Sequence, residues 1–183
     1  MSKLFDLQNK NVLLTGASKG MGLAMAQGLV NHGANVVISS RKLDQCQKAV
    51  DTINESVKQE KAFAFSCNAS SKDELNALVD FPISKLGSIT TLVCNAGVNS
   101  FFGSMSEIDD ESYDKTMNTN VKSNHWLINM VSPSMKESGG GSIMITSSIA
   151  AFDASETLGT YSISKLAVLL SLIHISEPTR LDD

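Results

Sequence analysis

Apolar positions along this chain follow two rhythms that take turns. Short apolar runs without alternation occur at NVLLT (11–15), NVVIS (35–39), AFAFS (62–66), TTLVC (90–94) and SIMITS (142–147). Runs of this kind predict strands buried on both faces of a parallel sheet. Between them the spacing becomes helical: MGLAMAQGLVNHG (21–33) stops at Gly33, amphipathic stretches cover 42–57 and 72–85, and a long helical region covers 109–136. Strands alternating with helices imply right-handed crossovers and an α/β fold, a doubly wound parallel sheet with at least five strands.

The chain has 183 residues, 42% of them hydrophobic and 19% charged, enough for one domain with a sizeable core. A net charge of -4 without a dense Lys/Arg block argues against nucleic acid or an anionic membrane as partner and favours a small molecule. No stretch reaches the ~20 apolar residues of a membrane span. The polar start MSKLFDLQNKN lacks a targeting core, so a cytoplasmic protein is expected. Cys46, Cys67 and Cys94 show neither metal-ligand spacing nor an even framework, which predicts reduced, buried thiols.

The first strand runs into TGASKGMG (15–22), where Gly16, Gly20 and Gly22 allow a tight turn. Backbone amides there, with Ser18, Lys19 and Met21, and the start of the next helix can meet a pyrophosphate. By itself the pattern is equally that of any glycine-rich turn in an α/β protein; its place at the first strand-to-helix junction favours dinucleotide binding. The second strand ends in Ser39-Ser40-Arg41-Lys42, with no carboxylate to hold ribose hydroxyls. The guanidinium of Arg41, with Lys42 and with Lys19 in the glycine turn, suits the extra phosphate of NADP(H) better than NAD(H).

YSISK places Tyr161 and Lys165 four residues apart, on one face of a helix. An ammonium about 4 Å from a phenol at an effective dielectric of ~20 supplies roughly 4 kcal/mol toward the phenolate. Such a phenol exchanges a proton with a carbonyl or alcohol while a nicotinamide exchanges hydride.

Taken together, the TGASKGMG turn, Asn95-Ala96-Gly97, Asn120 in NTNVKS, the serine pair 147–148 and Tyr161/Lys165 resemble the short-chain dehydrogenase/reductase family over residues 5–168. The resemblance implies a Rossmann-type fold and an oxidoreductase acting on a 3-oxoacyl thioester, a sugar or polyol, or a small ketone. It implies Tyr161 as general acid/base, with Lys165 easing loss of its proton and holding the nicotinamide ribose. Ser148, thirteen residues before Tyr161, would bond the reacting oxygen, and Asn120 would hold a water leading from Lys165 to solvent. Asn95, Ala96 and Gly97 would line the cofactor, and Asn68 and Ala69 would lie by the adenine. The full-length protein is expected as a homodimer or homotetramer. A non-catalytic NADP-binding regulator is the other class of protein these residues fit.

Two positions depart from the family pattern. Cys94 stands where an asparagine is common, and Asn68 where an aspartate is common, which implies weakened adenine recognition. His32 is expected as a helix-end residue and His125 and Trp126 as packing or interface residues. The resemblance also implies sixth and seventh strands that the chain does not contain. LSLIHISEPTR (170–180) instead resembles a translated sequencing adapter, so 1–169 is expected as the C-terminally truncated nucleotide-binding domain and 170–183 as a non-native tail. The fifth strand is then an exposed apolar edge, and the chain as written is expected to be poorly soluble and inactive.

Overall fold

In a computed structural model the described residues are 3–153 and 155–175. Five strands, β1 (Asn11–Thr15), β2 (Asn35–Ser40), β3 (Ala62–Ser66), β4 (Thr91–Cys94) and β5 (Ser142–Ile145), make one sheet in the order β3-β2-β1-β4-β5. Every pairing is parallel, with Leu13 opposite both Val37 and Leu92. Helices α1 (Gly20–Asn31), α2 (Leu43–Val57), α3 (Lys72–Leu86), α4 (Asp110–Met117), α5 (Ser123–Glu137) and α6 (Gly159–Ile175) accompany the sheet.

The unbroken apolar runs are explained by burial on two sides. Along β1 and β2, Val12, Leu14, Val36 and Ile38 face a core completed by Ala26 and Val30 of α1 and Ile53 of α2. Their neighbours Leu13 and Val37 face the opposite core, completed by Leu75 and Leu78 of α3 and Leu127, Ile128 and Val131 of α5. The period of two along a strand divides each run between these layers.

Strand order then fixes where a ligand can enter. The chain steps outward from β1 to β2 to β3 and returns to place β4 on the other side of β1. Crossovers that leave in opposite directions open a crevice at the C-terminal ends of β1 and β4, the switch point where doubly wound sheets bind ligands.

Two elements differ from the pattern in the sequence. The region expected as one helix over 109–136 is two, joined by a π-helical turn at Asn118–Lys122 in which Ser123 N bonds back to Asn118 O. A single slipped backbone hydrogen bond leaves the residues on either side helical, so the whole stretch still reads as helix. The fifth strand ends at Ile145, two residues early: the Thr146 main-chain oxygen accepts from Lys165 Nζ, and the Thr146 and Ser147 hydroxyls bond Asn95 and the backbone of Lys165. It is an edge strand, and its Met144 is 58% exposed. Of the expected tail, residues 170–175 continue α6, and 176–183 lie outside the described residues.

Candidate functional site

The turn after β1 is held open by glycine. Gly16 has φ +65°, and a Cβ there would lie 2.8 Å from Ala96 Cα, so the glycine turn and the segment after β4 touch backbone to backbone. A Cβ on Gly22 would collide with Gly16 O. The turn leads into α1 with Lys19 as N-cap, whose side chain makes no capping bond. First-turn amides of α1 therefore remain available to an anion, where the helix dipole also favours negative charge.

Asn95 ties the strand ends together. Its Nδ2 donates to Thr15 O at 3.1 Å and Gly16 O at 3.0 Å, and its Oδ1 accepts from Thr146 Oγ1 at 3.2 Å. The Thr15 hydroxyl accepts from the backbone amides of both Asn95 and Ala96 at 3.1 Å. One amide side chain and one hydroxyl thus lock the ends of β1, β4 and β5 around the crevice.

The crevice itself is a cleft of about 1200 Å³. It is larger than the roughly 300–1,000 Å³ that drug-sized ligands occupy, and so is suited to a molecule the size of a dinucleotide. Gly16, Ser18, Lys19, Gly20, Met21 and Gly22 line one part, Ser40, Arg41 and Lys42 another. Asn68, Ala69, Asn95, Ala96 and Gly97 complete the positions that the sequence suggested for a cofactor. Arg41 and Lys42 are exposed at the rim, while Ser40 turns its hydroxyl to Cys46 Sγ at 3.1 Å. Asn68 Oδ1 accepts from Ser70 N at 3.2 Å, and the Asn68 backbone N–H donates to Glu74 Oε2 at 2.8 Å.

Beyond Gly97 lies the second cluster. Lys165 is 5% exposed, and its Nζ donates to Thr146 O at 2.8 Å and lies 5.7 Å from the centre of the Tyr161 ring. Burial holds its pKa below the ordinary lysine value. Asn120, wholly buried in the π turn, accepts from Val98 N at 2.8 Å and donates to Val98 O at 2.8 Å and Ser164 Oγ at 2.9 Å. Both donors of its amide are therefore engaged, and a water at this side chain can be bound only as a donor. The position of a Cβ on Gly97 would be 3.2 Å from Lys165 Nζ and 3.4 Å from Asn120 Oδ1, so a side chain there would intrude between lysine and asparagine.

Ser148 caps a short 3-10 turn (Ile149–Ala151), accepting from Ala150 N at 3.2 Å. Its partner Ser147 donates to Lys165 O at 2.9 Å, which ties the serine pair to the Tyr161 helix. The three thiols are free and buried. Burial pushes Cys94 up to about 12, and burial with the nearby Glu74 carboxylate pushes Cys67 up to about 12. His32 closes α1 with Nδ1 2.8 Å from Gly28 O; His125 pairs with Asn129, and Trp126 lies under Lys122.

This geometry can be set beside known proteins. A family model described as short chain dehydrogenase matches residues 10–174. The chain belongs to that family. It is 38% identical over 172 residues to human dehydrogenase/reductase SDR family member 4, covering 92% of this chain and 60% of that protein. The Caenorhabditis elegans protein of the same name is 34% identical, covering 88% of this chain and 62% of that one. A 7α-hydroxysteroid dehydrogenase solved with NADH and 7-oxo glycochenodeoxycholic acid superposes with a TM-score of 0.87 at 33% identity, covering 94% of this chain and 68% of that one. A short-chain type dehydrogenase/reductase from Mycobacterium marinum superposes with a TM-score of 0.85 at 30% identity, covering 94% of this chain and 70% of that one. The chain spans about 60% of the length of the curated relatives it matches. No described helix is long and apolar enough to cross a membrane.

For a short chain dehydrogenase, the residues that sequence reasoning passed over are the supports. Thr15, Thr146 and Ser164 carry the hydrogen bonds that place Asn95, Lys165 and Asn120. Thr15, Thr146 and Ser164 all stand inside stretches already quoted, TGASKGMG, SIMITS and YSISK, which is a signal present in the sequence. Val98 contributes only its backbone, so its side chain carried no signal at all.

Proposed function

We propose that the chain carries the nucleotide-binding and catalytic part of an NADP(H)-dependent oxidoreductase that interconverts a carbonyl and a secondary alcohol. The observation behind this reading is continuity: Gly97 belongs to the lining of the glycine-rich cleft and also abuts Lys165 and Asn120. A nucleotide in that cleft has its far end beside the Lys165 ammonium and the Tyr161 helix.

The cleft has what a dinucleotide phosphate requires: uncapped amides at the start of α1, backbone approach allowed by Gly16 and Gly22, and exposed cations at the adenosine end. Ser18, Lys19, Gly20 and Met21 would hold the pyrophosphate, and Arg41 with Ser40 and Lys42 the 2′-phosphate. When bound, the nicotinamide supplies or accepts the hydride.

The chain's own groups deal with the proton. Tyr161 gives its phenolic proton to the developing alkoxide, or removes it from the alcohol in the reverse direction. Lys165, a cation in a poorly solvated place, opposes the cost of forming the phenolate and would hold the nicotinamide ribose. Ser148 keeps its own hydroxyl proton for the substrate oxygen while accepting from Ala150 N. Asn120 anchors Val98 and α6 and accepts from the water that returns protons to the site. The substrate belongs to the carbonyl and secondary-alcohol class, a 3-oxoacyl thioester, a sugar or polyol, or a small ketone. On the family resemblance, the full-length protein acts as a homodimer or homotetramer.

Replacing Tyr161 by phenylalanine in the full-length protein tests this. Turnover falls by several orders of magnitude while NADPH still binds. Unchanged function on that substitution would instead identify a non-catalytic NADP-binding regulator.

A further inference from the structure

The buried side of α5 carries a polar group that the proposed chemistry leaves unused. Asn124 is 4% exposed and lies four residues beyond Asn120, on the same side of the helical stretch. Its Nδ2 donates to the main-chain oxygen of Asn120 at 2.7 Å. Its Oδ1 is buried and meets no donor among the described residues. An apolar side chain of similar size would fill this space without an orphaned acceptor, so what the amide contributes is the single bond to Asn120.

That bond falls where the helix ladder is irregular. In the π turn Ser123 N reaches back five residues to Asn118, and the Ser123 hydroxyl bonds Thr119 O. Side chains thus secure two consecutive carbonyls, Thr119 through Ser123 and Asn120 through Asn124. A held carbonyl fixes the peptide plane and with it the direction of the Asn120 side chain, which fastens Val98 and Ser164. Ser164 immediately precedes Lys165, and Val98 immediately follows the Gly97 that abuts Nζ.

We propose that Asn124 is a positioning residue for the chemical step. Through the Asn120 carbonyl it sets the Asn120 side chain, and through that side chain the placement of Lys165 relative to Gly97. This rests on the oxidoreductase reading above. Asn124 does not line the nucleotide cleft, so its effect on kcat and its pH dependence exceeds its effect on NADPH binding, which it reaches only through Lys165 and Gly97.

The experiment uses the full-length protein with Asn124→Leu, Asn124→Ala and Asn124→Ser. A serine hydroxyl in a helix can donate to the carbonyl four residues back, so it restores the bond without the amide. Leu and Ala are expected to lower kcat on the order of tenfold, with the NADPH KM within about twofold of wild type. They also displace the kcat–pH profile, and Ser recovers most of the rate and the wild-type profile. An activity-independent readout is the Asn120 side-chain amide NMR signal, displaced in Leu and Ala and restored in Ser. Folded Leu or Ala variants with wild-type kcat, profile and amide signal overturn the proposal, as does a folded Ser variant no better than Leu. Where Leu and Ala do not fold, Ser decides by the same measures. A wild-type protein that binds NADPH yet reduces no carbonyl defeats the oxidoreductase reading instead, and the amide signal then still decides the role of Asn124.

Discussion

Lys165 donates its ammonium to the main-chain oxygen of Thr146 at 2.8 Å, from a position only 5% exposed. The bond crosses from α6 to the end of β5 and holds the cation beside Gly97 of the cleft lining. It also explains why β5 stops early: Thr146 serves the site on both sides, through its oxygen to Lys165 and through its hydroxyl to Asn95.

A buried cation sets a pH dependence of known sign. Burial lowers the folded pKa of Lys165 below its ordinary 10.5, so the unfolded chain binds the proton more tightly. The penalty is complete below the folded pKa and is relieved as pH rises through it toward 10.5. Relative to Lys165→Met, wild-type stability should therefore increase over that alkaline window. Urea denaturation of both proteins across the window checks it; a constant difference would show that the lysine is solvated.

Gly16 and Gly20 separate two costs. Both have positive φ, but a Cβ at Gly16 strikes the Ala96 backbone whereas one at Gly20 meets nothing within 4 Å. Gly20→Ala should lose about 1–3 kcal/mol of stability from backbone strain, and Gly16→Ala more, because Ala96 must also move. Equal losses in thermal melts would mean that the approach of the glycine turn to Ala96 is not tight.

Arg41 is tested by cofactor choice. A charge-assisted bond to phosphate is worth about 1.5–3 kcal/mol, so Arg41→Ala in the full-length enzyme should raise the NADPH KM on the order of tenfold or more. The NADH KM should hardly change. An unaltered preference for NADPH would remove Arg41 as the selector.

The thiols give a chemical check on the core. Cys67 and Cys94 are both pushed up to about 12, which leaves almost no thiolate at pH 8, and Cys46 is fully buried. Iodoacetamide should label the native protein slowly and all three thiols once it is denatured. Rapid labelling of Cys94 in native protein would contradict the packing beneath Asn95.

Much of this molecule is written in the order of its residues. Unbroken apolar runs dictate strands buried on two faces, and their alternation with helices dictates a parallel sheet, because only crossovers of that kind cover both sides. The glycine turn, Arg41 and the Tyr161/Lys165 pair are legible as well, since local chemistry restricts which residues can stand there, and Asn120 is legible only through the resemblance of NTNVKS to the family. Tertiary structure decided what those groups touch. Asn95 reaching Thr15, Lys165 reaching Thr146, Asn120 reaching Val98 and Gly97 abutting Lys165 all join segments distant along the chain. The π turn rests on one slipped hydrogen bond, and the bond from Asn124 to the Asn120 carbonyl lies beside it. Periodicity reports which face of an element is buried; it carries no record of the partner that buries it, because that partner is brought close only when the sheet is assembled.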